Sequence, residues 1–273
     1  MKLYVWYSNS TSVTGRELAN SIGLSRTSPN DRNRGYGTLP PPKYTTHCVV
    51  WGAKYNGERY FPGINFLNDA KLVHRYSNKC LALEQMQVKG VTIPRFTDVK
   101  GYAETMLDEG LELIGRRYSH QGGSSFKFIE DSYDLNNDTT SDFWLEYKET
   151  EREYRVHVFN GEIVKIQRKK PKLDEEGDEI EPDSHLCKSH DNGWRFSICD
   201  ISRVHEDIKR QALKAVEAIG YDFGAVDILR LPDEDKSYVL EVNSGMGLDN
   251  AGLELYTELV NDWYSSQGGE NEF

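Results

Sequence analysis

Cysteine is scarce in this chain: four residues, at 48, 80, 187 and 199, with no close pair among them. That excludes a disulfide-dense scaffold and leads us to expect a reducing compartment, the cytoplasm. His185, Cys187, His190 and Cys199 lie near one another, but their spacing matches no paired zinc knuckle. No run of about 18 apolar residues occurs, so no transmembrane helix is expected. The first residues lack a basic stretch followed by a long apolar core, so no signal peptide is expected. Basic charge is also short. Against 44 Asp and Glu stand 33 Lys and Arg, a formal charge of −11. That excludes a general nucleic-acid-coating role. No internal repeat is visible, and no arrangement of Ser or Cys reads as a nucleophile.

What is present is bulk and order. The 273 residues suit one large domain or two small ones, and five Trp, sixteen Tyr and ten Phe supply packing volume. Part of the negative charge sits in one run, residues 174–183, which reads as a solvated loop. Residues 2–7 read as a strand. A helix over 14–22 follows, with Thr14 and Glu17 spaced as a capping box and Gly23 as its stop. Residues 25–46 read as a long loop, and 47–52 as a buried strand. Strand, helix, loop, strand predicts a small α/β unit. Asn78 and Lys79 open a helix ended by Gly90, Val91–Pro94 reads as a strand entry, and a helix runs near 102–109. Strands are predicted over 111–117 and 126–130, joined by a loop with Gly122 and Gly123. Residues 131–141 read as a polar loop. Strands over 142–147, 153–159 and 162–169 follow, the last two joined by the hairpin signal Asn160-Gly161. Residues 202–219 carry one apolar helical face, and a last helix is expected over 252–263.

The most informative segment is the pair of strand-like runs on either side of Pro232–Lys236. Side chains alternate along a strand, so Glu241 and Asn243 share a face. A hairpin symmetric about Glu234 puts Asp227 opposite Glu241. Two carboxylates and an amide oxygen then form one patch. Such hard oxygen donors suit magnesium, and carboxylates this close are costly without a cation.

In motif order, residues 65–250 resemble the ATP-grasp superfamily of carboxylate–amine ligases, the branch of glutathione synthetases, D-alanine–D-alanine ligases and ribosomal-protein glutamate ligases, with a looser likeness to small phage ATP-grasp proteins. Five segments carry the likeness. They are Asn78-Lys79 through Gly90-Val91-Thr92-Ile93-Pro94; Arg116-Arg117 with the Gly122-Gly123 loop; Glu146-Tyr147-Lys148-Glu149; Tyr154-Arg155-Val156 with the basic strand Val164–Arg168; and Asp227 with Glu241-Val242-Asn243. Met246 stands where that family commonly has Pro. The resemblance implies an α/β (α+β) ATP-grasp fold with three parts: an N-terminal α/β unit over 1–64, a small lobe over 65–145, and a C-terminal lobe with the metal site over 146–273. It implies an ATP- and Mg-dependent ligase working through an acyl phosphate, with two Mg²⁺ ions and Mn²⁺ as an alternative. Lys79, Arg116 or Arg117, Gly122, Gly123 and Lys165 would serve ATP. The hinge Glu146–Glu149 would meet the adenine, with Glu153, or else Glu149, on the ribose. Arg155 and Arg168 would hold the transferring phosphoryl group. By position they are expected to be near-diagonal neighbours, within reach of one anion. Asp227, Glu241 and Asn243 would hold metal. The substrates expected are small-molecule or peptide carboxylates and amines, with no nucleic acid and no membrane. A kinase on the same fold and a non-catalytic nucleotide-binding module are the alternatives.

Overall fold

The computed structural model describes residues 3–8, 12–24, 36–37, 40–41, 43, 45–55, 57, 61–119, 126–150, 152–231 and 233–268. Three sheets organise it. The first is parallel, in the order β2-β1-β3-β4: β1 (Leu3–Tyr7), β2 (Tyr36–Gly37), β3 (His47–Trp51) and β4 (Asn65–Leu67). Its strands β1 and β3 are buried along their whole length, as a covered parallel sheet requires. Helix α1 (Val13–Ser21) follows β1. The predicted capping box is not formed. The helix begins one residue before Thr14, and its N-cap Ser12 makes no side-chain capping bond. Strand β2 falls inside the stretch read as loop, and β4 carries this sheet past the expected boundary at 64.

Helices α2 (Ala70–Tyr76) and α3 (Lys79–Val88) come next. Asn78 caps α3 by accepting from the amides of Cys80 and Leu81, which sets Lys79 on its first turn. Helix α2 was not foreseen, being too short to show a helical period. The second sheet is antiparallel, in the order β5-β8-β6-β7: β5 (Phe96–Thr97), β6 (Leu113–Arg116), β7 (Lys127–Ile129) and β8 (Phe143–Glu146). Val91–Pro94 is not a strand; the short strand begins at Phe96. Helices α4 (Lys100–Asp108) and α5 (Ser132–Asn137) flank this sheet. The predicted polar loop over 131–141 thus contains a helix, nucleated by Asp131 accepting from the Asp134 amide.

The third sheet is antiparallel, in the order β11-β10-β9-β12-β13: β9 (Glu153–Phe159), β10 (Glu162–Pro171), β11 (Trp194–Ile198), β12 (Phe223–Leu231) and β13 (Lys236–Asn243). The β9–β10 turn has Asn160 at φ 47° and Gly161 at φ 78°, the left-handed pair of a tight hairpin. The acidic run after β10 is exposed, and its turn is closed by a bridge between Leu173 and Glu179. Helix α6 (Glu206–Ile219) lays Ile208, Ala212, Ala215, Val216 and Ile219 on the sheet. Helix α7 (Asn250–Ser266) ends the described chain. No helix among the described residues is long and apolar enough to cross a membrane.

The N-terminal unit shares its core with the third sheet. Trp51 stacks on Phe223 at 5.3 Å, and Tyr256 of α7 meets both edge-on. Asn68, at φ 66°, donates its Nδ2 to the Phe223 carbonyl and accepts from the amides of Asp222 and Phe223. Beyond β13 the chain crosses the N-terminal unit closely. A Cβ on Gly245 would stand 2.9 Å from Gly52 Cα, so only glycine fits there. These contacts set the end of β13, where the predicted donors lie, beside the first sheet.

Candidate active site

One face of the third sheet carries the polar array. On β9 it presents Glu153, Arg155 and His157; on β10, Lys165, Gln167 and Lys169; on β12, Asp227; on β13, Glu241 and Asn243. Asp227 pairs with Glu241 and with Arg155, and Asn243 with Ala225. The expected register therefore holds at these residues. It is reached indirectly. Next to the turn Leu231 faces Lys236, one residue out of that register, and an irregularity between Asp227 and Ile228 restores it.

Each carboxylate is held by cations. Arg155 reaches Asp227 through two bonds, Nε to Oδ1 at 2.8 Å and Nη2 to Oδ2 at 2.9 Å. This fork is the strong geometry for an arginine–carboxylate pair. The Arg155 guanidinium also lies 4.8 Å from the Phe196 ring centre. Lys169 donates to Asp227 Oδ2 at 3.1 Å and also to Glu153. Glu241 accepts from Lys79, from Arg116 at 2.8 Å and from the Asn243 amide nitrogen at 3.0 Å. Lys188 stands 3.9 Å from Glu153 and donates to the Thr150 carbonyl. Burial pushes Asp227 and Glu241 up, but Arg155 and Lys169 pull the first below its ordinary value, and Lys79 and Arg116 pull the second well below. Burial alone would lower Lys169, yet Asp227 and Glu153 raise it. Asp227 and Glu241 are thus held ionised, and among the described residues five cations, Lys79, Arg116, Arg155, Lys169 and Lys188, meet the three carboxylates Glu153, Asp227 and Glu241. In a chain of charge −11 this is a local positive excess, suited to a polyanion.

At the Glu153 end a cleft opens between the second and third sheets. Ile114, Leu145, Leu229 and Leu240 line it, together with the hinge residues Glu146, Tyr147 and Lys148. Lys148 pairs with Glu146 at 2.9 Å and Glu234 at 3.2 Å. At the other end His157 sits between Tyr256 and Gln167, and Lys165 bonds Asp249 at 2.7 Å.

Several expectations are corrected. Arg168 faces Tyr154, while Arg155 faces Gln167, because β10 slips by one residue between Ile163 and Lys165. A one-residue slip turns a side chain to the other face, so Arg155 and Arg168 cannot hold one anion. The β10 cation that meets Asp227 is Lys169, which sequence reasoning passed over. Lys188 was missed as well, since nothing in its neighbourhood suggests a strand or motif. Arg116 is buried against Glu241, whereas Arg117 is exposed and donates to the Thr140 carbonyl at 3.3 Å. Glu149 is exposed and Glu153 buried, so Glu153 is the acid within the array. Lys165, expected to serve ATP, lies at the α7 end of the face, bonded to Asp249. Gly122 and Gly123 lie outside the described residues.

Two outcomes can be stated. On the ATP role that the resemblance implies, Arg116→Ala should weaken nucleotide binding by roughly 30-fold, the value of about 2 kcal/mol for a charged hydrogen bond, while Arg117→Ala stays near wild type. Binding of a fluorescent ATP analogue checks this, and equal losses would contradict the assignment. The second outcome concerns His157, which burial, then the charge of Arg155, lower from the ordinary 6.5 to about 4. Below pH 6.5 the unfolded chain takes up a proton that the folded chain refuses until about pH 4. Stability should therefore fall across that window, by roughly 3 kcal/mol from this group, and level off below it. Asp227 and Glu241 act in the same direction. Their stabilisation is present above the unfolded carboxylate range and is lost as pH falls through their depressed folded values. Urea unfolding of wild type and His157→Gln at pH 7 and pH 4 should show a shallower loss in the variant; parallel losses would rule His157 out.

Asp227, Glu241 and Asn243 also satisfy the donor chemistry of magnesium. All are hard oxygen donors on one patch, and both carboxylates are held ionised despite burial. Asn243 turns its nitrogen to Glu241, so its oxygen is the atom that could serve as a donor to a cation.

No known protein-family profile matches the chain. No curated protein matches it by sequence. Solved structures do match it by fold. A D-alanine–D-alanine ligase from Bacillus anthracis is 14% identical, with 96% of this chain and 92% of that one covered and a TM-score of 0.63. The ATP-grasp ligase PsnB, in complex with a minimal precursor, Mg and ADP, is 13% identical, with 95% and 96% covered and a TM-score of 0.61. The macrocyclase MdnC with precursor peptide MdnA, from Microcystis aeruginosa, is 11% identical, with 95% and 99% covered and a TM-score of 0.59. The chain has the ATP-grasp fold over nearly its full length.

Proposed function

We propose that this protein is an ATP- and Mg-dependent ligase that joins a carboxylate to an amine through an acyl-phosphate intermediate, releasing ADP and phosphate. The observation that carries the reading is the ionised array around Asp227 and Glu241. It lies on one sheet face, next to an apolar cleft with a hinge, within an ATP-grasp fold. The cleft would take adenine between Ile114, Leu145, Leu229 and Leu240. The amides of Glu146 and Tyr147 are already bonded to the carbonyls of Arg95 and Glu112, which leaves the Lys148 amide as the hinge donor for a base edge. Glu153 would meet the ribose. Lys79 and Arg116 would turn from Glu241 to the phosphates.

Asp227, Glu241 and Asn243 would hold Mg²⁺, which, when bound, screens the charge of the β- and γ-phosphates. Arg155 and Lys169 stand where they can hold the transferring phosphoryl group, giving charge stabilisation without a covalent step on the protein. His157, kept neutral, and Gln167 border the side on which a carboxylate would enter. The substrate class is a small-molecule or peptide carboxylate. Support for a peptide comes from PsnB and MdnC, both seen with precursor peptides.

The test is ADP release with Mg²⁺ over a panel of amino acids, polyamines and peptides, with hydroxylamine present in a parallel series. Hydroxamate formation dependent on the carboxylate supports the ligase. A stable phosphorylated product with no hydroxamate would show a kinase on this fold. No turnover, with ATP still bound, would show a nucleotide-binding module.

A further inference from the structure

We propose that the opposite face of the third sheet holds a second, anion-binding site that takes a small organic phosphate. A cavity of about 420 Å³ lies there, lined by Arg152, Tyr154, Arg168, Lys170, Arg203 and Arg230, with an apolar wall of Ile198, Val204 and Ile208. That volume falls in the range of ligand sites, about 300–1,000 Å³. Strand alternation separates it from the nucleotide face. Tyr154 and Arg168 point away from their neighbours Arg155 and Lys169, so the cavity is not part of the array described above.

The charge of the walls is unbalanced. Five permanent cations face one carboxylate in the lining, Asp200, which lies 3.4 Å from Arg203. Asp235, outside the lining, pairs with Arg230. Among the described residues, no carboxylate pairs with Arg152, Arg168 or Lys170. Two guanidinium nitrogens sharpen the point. Arg168 Nε and Arg230 Nη1 are both buried and, among the described residues, have no hydrogen-bond partner. The Arg230 side chain is only 7% exposed. A buried charged donor without an acceptor is costly, so such donors mark a site that an anion completes.

Phosphate fits better than carboxylate. A phosphate monoester carries close to two charges and three acceptor oxygens, which guanidinium forks match, and a single carboxylate leaves most of this charge uncompensated. The apolar wall and Tyr154 give the ester's organic body a surface to pack on. The reading holds whether or not the protein is a ligase.

The test uses phenyl phosphate as probe, titrated calorimetrically into the full chain with its nucleotide site saturated by MgADP. One equivalent should bind, more tightly than benzoate and more tightly than inorganic phosphate. Arg168→Gln with Lys170→Gln should weaken it tenfold or more, through loss of two charge-assisted bonds. Thermal melts without probe establish that the double variant folds. If it does not, Lys170→Gln alone, at a half-buried position, should weaken binding several-fold. Phenyl phosphate bound no better than benzoate, or equally by wild type and a folded variant, would overturn the proposal.

Discussion

Glu241→Gln is expected to lower magnesium-dependent ADP formation by roughly 1,000-fold, about 4 kcal/mol of lost transition-state stabilisation. Glutamine keeps the shape and removes the charge. Three things then fail together. The metal loses an ionised donor, and Lys79 and Arg116 lose the carboxylate that neutralises them. The Asn243 amide loses its charged acceptor as well. Leaving cations unpaired in a buried site costs about 3–5 kcal/mol when water is excluded. Here the loss of fold stability should be smaller, because the side chains of Glu241 and Lys79 are 21% and 14% exposed and water can reach them. Two measurements separate the effects. Thermal melts should show a folded protein that MgATP no longer stabilises, and turnover should be absent at every magnesium concentration. A Glu241→Gln protein with wild-type turnover would remove the metal assignment altogether.

Arg155→Ala should lower kcat by 100- to 1,000-fold with little change in the KM for ATP. A clamp on a transferring group acts mainly in the transition state, and such contacts typically contribute about 3–4 kcal/mol. Arg155→Lys should not restore activity. Lysine is a single point charge and cannot reproduce the two-point bond to Asp227 or the planar packing over Phe196. Asp227 would retain Lys169 as its partner, so the protein should remain folded. Steady-state kinetics on both variants, with urea unfolding as a control, gives the answer. A change confined to KM would make Arg155 a ground-state binding residue instead.

Much of the architecture was legible because it rests on local chemistry. Asn160-Gly161 specifies a tight hairpin through two left-handed φ angles, whatever surrounds it. The face of α6 was legible because one stripe of small and branched apolar residues repeats at the helical period. Asn78 and Lys79 were legible as a helix start because the cap bonds the amides next to it. Elements of no more than about two repeats were not legible: α2, α5, β2 and β4 carry too few residues to establish a period. Strand β11 was missed too, although its five residues pair along β10.

The order of the polar motifs along the chain, and their pairing in two hairpins, came from the sequence alone. It was enough to name the fold and to bring Asp227, Glu241 and Asn243 to one patch. Which cations meet them was decided only in three dimensions, and the cause is register. A strand presents alternate residues to opposite faces, so one extra residue inverts every side chain beyond it. The irregularity near Asp227 brings Asp227 opposite Glu241, and the one near Ile163 sends Arg168 to the far side and Lys169 into the site. Neither leaves a mark in hydrophobic pattern or composition, because each depends on how neighbouring strands twist and pack. Packing also decided Arg116 over Arg117: Arg116 ends β6 and is buried, and Arg117, just past the strand, is exposed.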